Sequence, residues 1–150
     1  MPRPTKLRII GHIPESRYFM PVGIPKCRLD QVNLKLEELE AMRLKDIENL
    51  SQEECAERMK VSRQTFQLII DEARRKVATA LTIGKAVSIE GGTYTFNICR
   101  YRCESCENEF DEAYEKDAHI CPQCGSKAVQ CIDSGGFCSK RCQKKPWCRR

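Results

Sequence analysis

Apolar side chains recur at intervals of three and four residues through the middle of the chain, a spacing that is typical of helices packed on one face. The first such pattern begins at Leu34. Its apolar positions are Leu36, Leu39, Met42 and Ile47. Asn49 comes next and is a residue type that commonly ends a helix. We therefore predict a first helix between Leu34 and Asn49.

A short second helix is predicted over residues 52–59. Ser51 and Glu54, three residues apart, form a capping box at its start. Its inward-facing side chains are Cys55, Ala56 and Met59. Lys60 and Val61 then form a tight turn. Many helix-turn-helix proteins have glycine where this chain has Lys60, and a left-handed lysine there would cost roughly 1 kcal/mol.

The third predicted helix is the longest. Ser62 is its N-cap and Gly84 is a natural stop. Between them runs an apolar stripe of about five turns. The stripe consists of Phe66, Ile69, Ile70, Ala73, Val77, Ala80 and Leu81. Beyond this helix, residues 86–98 alternate around Gly91 and Gly92, which predicts a β-hairpin that links the helices to the cysteine-rich part of the chain.

Four cysteines after the hairpin have the spacing of a zinc site. Cys103 and Cys106 form one Cys-x-x-Cys pair, Cys121 and Cys124 form another, and 14 residues separate the pairs. Four thiolates close a tetrahedral zinc and leave no open position for water, so a structural zinc ribbon is expected. Its metal would supply much of the folding free energy, on the order of 10 kcal/mol. The alternative is four independent buried thiols.

A second set of cysteines lies in the tail. Cys131, Cys138, Cys142 and Cys148 could hold a second zinc or an iron–sulfur cluster, with Cys99 as a substitute ligand. Their spacing matches no standard cluster motif, and unliganded thiols are the alternative. A redox-active cluster there would make the protein a sensor.

Charge is distributed unevenly around the overall value of +5. Residues 1–33 carry +4 and residues 131–150 carry +5, whereas residues 101–130 carry −4. Basic ends could track a phosphate backbone, although solvated tails are the alternative. The start of the chain has no h-region of a signal peptide, and no apolar run reaches membrane-spanning length, so we expect a cytoplasmic protein without membrane partners.

The second and third helices have the arrangement that places a helix in the DNA major groove. The side chains expected to contact bases are Arg63, Gln64, Thr65 and Gln67. Arg74, Arg75 and Lys76, together with Arg3 of the N-terminal arm, are expected to contact phosphates. The alternative is an ordinary three-helix bundle with solvated polar faces.

Several separate blocks within residues 1–95 support this interpretation. They are residues 2–4 (PRP), 18–25 (YFMPVGIP), 36–44 (LEELEAMRL), 62–66 (SRQTF), 72–77 (EARRKV), 84–86 (GKA) and 89–92 (IEGG). In these blocks the chain resembles a prokaryotic family of predicted DNA-binding proteins whose helix-turn-helix is similar to region four of sigma factors. The resemblance implies a cytoplasmic transcriptional regulator and no known target.

Together these patterns predict an α+β chain with five segments. They are a basic arm (1–33), a helix-turn-helix domain (34–85), a β-hairpin connector (86–98), a zinc ribbon (99–130) and a basic cysteine-rich tail (131–150). The function we expect is sequence-specific binding of double-stranded DNA, with a homodimer or the transcription machinery as further partners.

Other functions remain open: a protein-interaction module built on the acidic ribbon, a metal or redox sensor, and RNA binding through scattered aromatic residues. An enzyme with a small-molecule substrate is not expected. The chain has two histidines, no phosphate-cradling glycine loop and no nucleophile motif.

Overall fold

The computed structural model describes residues 5–116, 120–133, 137 and 142. The chain divides into two compact units, residues 1–94 and 95–150. Both helices and strands are present, which confirms the α+β class. The predicted sites at Arg3, Cys138 and Cys148 lie outside the described residues.

Unit 1 contains a three-stranded sheet in the order β2–β4–β3. Strand β1 spans Arg8–Ile9, β2 spans Tyr18–Phe19 and β3 spans Gln31–Leu34, and a 3₁₀ turn at Lys26–Arg28 precedes β3. Strand β4, Ala86–Ile89, pairs in parallel with β3 and antiparallel with β2. The segment predicted as an arm therefore supplies strands to the same unit as the helices.

The first helix, α1, spans Leu36–Met42 and continues through a π-helical turn at Arg43–Ile47. Leu34, where the sequence pattern suggested a helical start, instead ends β3. Ile47 was predicted on the apolar face, but its side chain is 79% exposed. The wider π turn adds a residue to the last turn and rotates Ile47 away from the core. Asn49 has a left-handed φ of 56° beyond the helix end, as its position suggested.

The second helix, α2, spans Gln52–Met59 and begins with the predicted capping box. The Ser51 amide donates to Glu54 at 2.8 Å, and the Glu54 amide donates to the Ser51 hydroxyl at 3.2 Å. The hydrogen bond from the Ser51 amide, followed by the interaction of the carboxylate with the Ser51 hydroxyl, lowers the pKa of the Glu54 carboxyl from its ordinary 4.5. The cap therefore stabilises the fold above that ordinary value and weakens as the pH falls through the lowered pKa.

The third helix, α3, spans Arg63–Ile83 between the predicted Ser62 N-cap and Gly84. Its buried side chains pack with those of α1 and α2 into one core, made of Ala41, Leu44, Cys55, Ala56, Met59, Phe66 and Ile70. The predicted stripe is wrong at its end, because Leu81 is 80% exposed. At about 1.5 Å per residue a helix of this length reaches roughly 30 Å and extends past its packing partners.

Lys60 adopts the left-handed conformation that is common at glycine-containing turns, with φ 56° and ψ 43°. We expect Lys60→Gly to stabilise unit 1 by roughly 0.5–1 kcal/mol, because glycine occupies this region without the steric cost of a Cβ. Denaturant unfolding would measure the change. Glu57→Gly is the matched control, since Glu57 is an exposed residue inside α2, where glycine should lower stability by roughly 1 kcal/mol. A lower midpoint for Lys60→Gly would contradict the expectation.

The predicted β-hairpin over residues 86–98 is wrong. Strands β4 and β5, Tyr94–Thr95, do not pair with each other, because β4 already has a partner on each side. The chain between them instead wraps over the start of α1. A Cβ on Gly92 would lie 1.8 Å from the Glu37 carboxylate, and the same carboxylate accepts the Thr93 amide at 3.1 Å. This contact replaces the hairpin turn.

Unit 2 contains a three-stranded antiparallel sheet in the order β7–β6–β8. Strand β6 spans Ile98–Cys103, β7 spans Glu109–Ala113 and β8 spans Val129–Cys131. Cys103 ends β6, so the sheet fixes the start of the first cysteine pair. Among the helices that the structure describes, none combines the length and apolar character needed to cross a membrane.

Candidate metal centre and helix surface

Two loops of unit 2 hold the four predicted zinc ligands and have the same construction. In the first, the Glu107 amide donates to the Cys103 carbonyl at 2.9 Å, and in the second the Gly125 amide donates to the Cys121 carbonyl at 2.9 Å. Both Glu107 and Gly125 have positive φ, 60° and 72°. Each loop therefore turns back on itself four residues after its first cysteine and directs both of its sulfurs to one side.

The four sulfurs converge on one point. The Sγ atoms of Cys103, Cys106, Cys121 and Cys124 all lie within 4.8 Å of one another. Two contacts cross between the loops, Cys103 to Cys124 and Cys106 to Cys121, and both Sγ–Sγ distances are 3.6 Å. A tetrahedral ion with metal–sulfur bonds of about 2.3 Å requires sulfurs roughly 3.8 Å apart. The arrangement therefore accommodates a four-thiolate metal ion.

The first cysteine of each loop favours the thiolate. Burial opposes ionisation of Cys103 and Cys121, but hydrogen bonds from backbone amides two and three residues further along outweigh it. The pKa of Cys103 is lowered from 9.0, and that of Cys121 is lowered to about 6. Since a metal binds the thiolate and not the thiol, these amides favour the form that coordinates.

Aromatic and polar contacts support the two loops. Tyr101 and Phe110 face each other across β6 and β7 and stack with ring centroids 5.8 Å apart. The hydroxyls of Ser105 and Ser126, one from each loop, are 2.9 Å apart. The hydroxyl contact links the loops directly, while the stacked rings hold together the strands that carry the first loop.

Two further cysteines lie in the sheet of unit 2, Cys99 on β6 and Cys131 on β8. They are buried together with Tyr101 in a small core. Burial raises the pKa of the Cys99 thiol, and the nearby Asp133 carboxylate contributes in the same direction. Cys99, the predicted substitute ligand, therefore shares a core with Cys131. Within the described residues, however, only the first four cysteines form a metal-sized group.

The first turn of α3 places the predicted base-contacting residues at the surface. Arg63 and Gln64 are exposed, and Thr65 and Gln67 are half-buried. Arg63 pairs with Glu53 at 3.2 Å, and both side chains are about two-thirds exposed. Gln67 donates to Asp71 at 2.7 Å. Exposed pairs of this kind contribute little to stability, so a ligand could replace these contacts with its own at a small cost in free energy.

The three side chains of α3 that were predicted to contact phosphates differ in how accessible they are to solvent. Arg74 pairs with Asp46 and Arg75 with Glu72, both at 2.6 Å and both largely exposed. Hydrogen bonds to these carboxylates raise the pKa of each guanidinium. Lys76 is only 18% exposed and bonds to Glu38 at 2.9 Å. This buried pair argues against the predicted phosphate contact at Lys76.

Sequence patterns missed three buried glutamates on α1. Glu37, Glu38 and Glu40 are each about 95% buried. Glu40 accepts the Gly11 amide at 3.0 Å and an Arg43 nitrogen at 2.6 Å. A run of acidic residues is typical of a solvated helix face, and only knowledge of the surrounding strands would have indicated burial. These carboxylates attach the N-terminal segment and the chain after β4 to the helices.

The fold and site define an α+β protein whose second unit contains four clustered cysteines that could hold a metal ion. The chain belongs to the DUF134 family, described as a protein of unknown function, whose family model matches residues 1–97. It is 55% identical over 149 residues to a UPF0251 protein of Clostridium beijerinckii, covering 99% of this chain and 97% of that protein. It is 57% identical over 144 residues to one of Clostridium novyi, covering 96% and 98%. No solved structure matches.

Proposed function

We propose that the chain is a sequence-specific DNA-binding regulator in which the start of α3 enters the major groove. The observation that carries the proposal is the α2–turn–α3 arrangement. Both helices are capped, and Ala56, Met59 and Phe66 pack between them. This packing fixes the angle of α3 and leaves Arg63 and Gln64 outward on its first turn. Arginine contacts guanine and glutamine contacts adenine through paired hydrogen bonds.

We further propose that the four-cysteine site holds zinc in a structural role. Four thiolates are the donor set that suits zinc, and a closed tetrahedral site has no position for a reacting water. The metal would fold the ribbon, and the ribbon would extend or brace the DNA contact. The alternative sensor function would require a second metal or cluster at Cys131, Cys138, Cys142 and Cys148, with Cys99 as a substitute ligand.

Two observations weaken the competing functions. On β7, Glu109 pairs with both Arg100 and Arg102, and Glu112 pairs with Lys116. These ion pairs within unit 2 reduce the acidic surface available to a protein partner. Tyr101 is 3% exposed, so it cannot serve as a stacking surface for RNA bases.

Binding to a randomised pool of duplex DNA tests the main proposal. The full, zinc-loaded chain should enrich a short motif at physiological salt. Arg63→Ala and Gln64→Ala should each weaken binding of that motif roughly 5- to 150-fold and relax selection at one base pair, since a bidentate contact discriminates by about 1–3 kcal/mol. Isothermal or fluorescence titration would measure both effects.

Arg17→Ala is the matched control, because Arg17 is an exposed arginine of the same unit outside α2 and α3. It should change affinity only slightly and leave the selected motif intact. Retention of DNA without any enriched motif would leave only phosphate attraction. No retention at all would reject the DNA-binding function in favour of the protein-interaction module.

A further inference from the structure

A cavity of about 670 Å³ lies between the N-terminal segment and the turn that joins α2 to α3. This volume is within the range of about 300–1,000 Å³ that is typical of small-molecule sites. Lys6 and Arg8 border it on one side, and Lys60 and Ser62 border it on the other. All of its described lining residues belong to unit 1. Of the four predicted base-contacting residues, Thr65 alone borders it, and none of the predicted metal ligands does.

The fold holds the basic N-terminal segment at this position. The Arg8 amide donates to the Thr93 carbonyl at 3.0 Å, and β1 packs against α2. Lys60 is fixed on the opposite side by its left-handed turn. Cations from two separate parts of the sequence are therefore brought to one cavity by backbone contacts, and not by attraction to a shared carboxylate.

The charge of the cavity favours an anion. Lys6, Arg8 and Lys60 contribute three positive charges, and Glu57 is the one acidic side chain on the described wall. The Arg8 Nε atom is inaccessible to solvent and has no hydrogen-bond acceptor within the described part of the chain. A buried guanidinium nitrogen without an acceptor is costly, and a negative charge in the cavity would offset part of that cost by its attraction to the guanidinium.

The start of α3 adds hydrogen-bond donors to the same wall. Ser62 and Thr65 both border the cavity. The Ser62 hydroxyl accepts the Thr65 amide at 3.1 Å, which leaves the amides of Arg63 and Gln64 without an intrahelical partner, as at any helix start. Arg63 and Gln64 do not border the cavity themselves. The positive end of a helix of 21 residues nevertheless lies beside it, which favours a phosphate group there.

We propose that this cavity binds a phosphate group through Lys6, Arg8 and Lys60, with the positive N-terminal end of α3 beside it. The phosphate belongs either to the backbone of duplex DNA or to a free phosphorylated small molecule, which share this chemistry. The DNA source rests on the proposed DNA-binding function, whereas the phosphate site itself does not. If the phosphate belongs to DNA, the site positions α3 on the duplex. If it belongs to a small molecule, binding of that molecule at the start of α3 would regulate this helix.

Titration of the full, zinc-loaded chain with inorganic phosphate tests the site without DNA. The amide resonances of residues 62–65 should shift with one saturable isotherm. Lys6→Gln and Lys60→Gln should each weaken phosphate binding roughly tenfold, because each removes a charge-assisted hydrogen bond. Arg17→Gln is the matched control and should leave the isotherm unchanged. Shifts that do not saturate, or variants that behave like Arg17→Gln, would overturn the proposal.

Adding duplex DNA to the phosphate-saturated chain distinguishes the two sources. Displacement of phosphate, with a salt slope of DNA binding that falls by about one unit in Lys6→Gln and in Lys60→Gln, supports the DNA backbone. Retention of phosphate in the DNA complex supports the free ligand. If the chain binds phosphate but no DNA, the proposed phosphate site stands and only the proposed DNA-binding function is rejected.

Discussion

Cys121→Ser is expected to remove one equivalent of zinc from the chain and to unfold unit 2. The four sulfurs lie within 4.8 Å of one another, and the core behind them, Cys99, Tyr101 and Cys131 with a few half-buried neighbours, is small. Metal binding contributes on the order of 10 kcal/mol to the folding of such sites, so a core of this size cannot compensate for its loss. Unit 1 has its own core and should remain folded.

Metal analysis together with amide hydrogen exchange would measure both effects. The amides of β6 should lose protection while those of α3 keep theirs, and a strong chelator should reproduce this pattern in the unmodified chain. Cys27→Ser is the matched control, because Cys27 is exposed and lies outside the cluster. A Cys121→Ser chain that retains its full zinc content and its β6 protection would refute the metal centre.

Glu38→Gln is expected to destabilise unit 1 by about 3 kcal/mol, the largest effect that we foresee for a side chain outside the metal centre. Glu38 is only 5% exposed. Its carboxylate accepts hydrogen bonds from the Lys76 ammonium and from the Lys35 amide, each at 2.9 Å. Removing one charge of a buried pair leaves the other without compensation, which costs roughly 3–5 kcal/mol. Because Lys76 is partly exposed, we expect a loss at the lower end of this range.

Denaturant unfolding of a double-mutant cycle would measure this loss. Lys76→Met should also destabilise the unit, and the double variant should recover part of the loss, because neither charge then remains unpaired. Glu72→Gln breaks the exposed pair with Arg75 and, as the control, should cost less than about 1 kcal/mol. Equal losses for Glu38→Gln and Glu72→Gln would show that burial adds nothing to the pair.

Features set by neighbouring residues were predictable from the sequence. The Ser51 and Ser62 caps, the Gly84 stop and the two Cys-x-x-Cys loops all depend on contacts within about five residues. Local backbone chemistry determines such features, so residue type and spacing indicate them directly. The clustering of Cys103, Cys106, Cys121 and Cys124 was predictable in this way from their spacing alone.

Features set by distant residues were not predictable. The alternating pattern around Gly91 and Gly92 indicated strands, but it could not show that β4 pairs with β3 and β2. Periodicity places Glu37 and its neighbours on a helix without indicating what covers that helix. Likewise, the exposure of Leu81 depends on where the partners of α3 end. In each case the deciding contact lies far along the chain.

The parallel pairing of β3 with β4 has a consequence for the order of folding. Helices α1, α2 and α3 lie within the 51 residues between Leu34 and Ala86, and this whole stretch must be brought back on itself before the two strands can meet. The entropy of closing so long a loop is recovered only after the helices have docked, so the strands should join last. A fragment limited to residues 34–85 would keep these three helices but could never complete this final step, and α3 would lose the strand against which it packs.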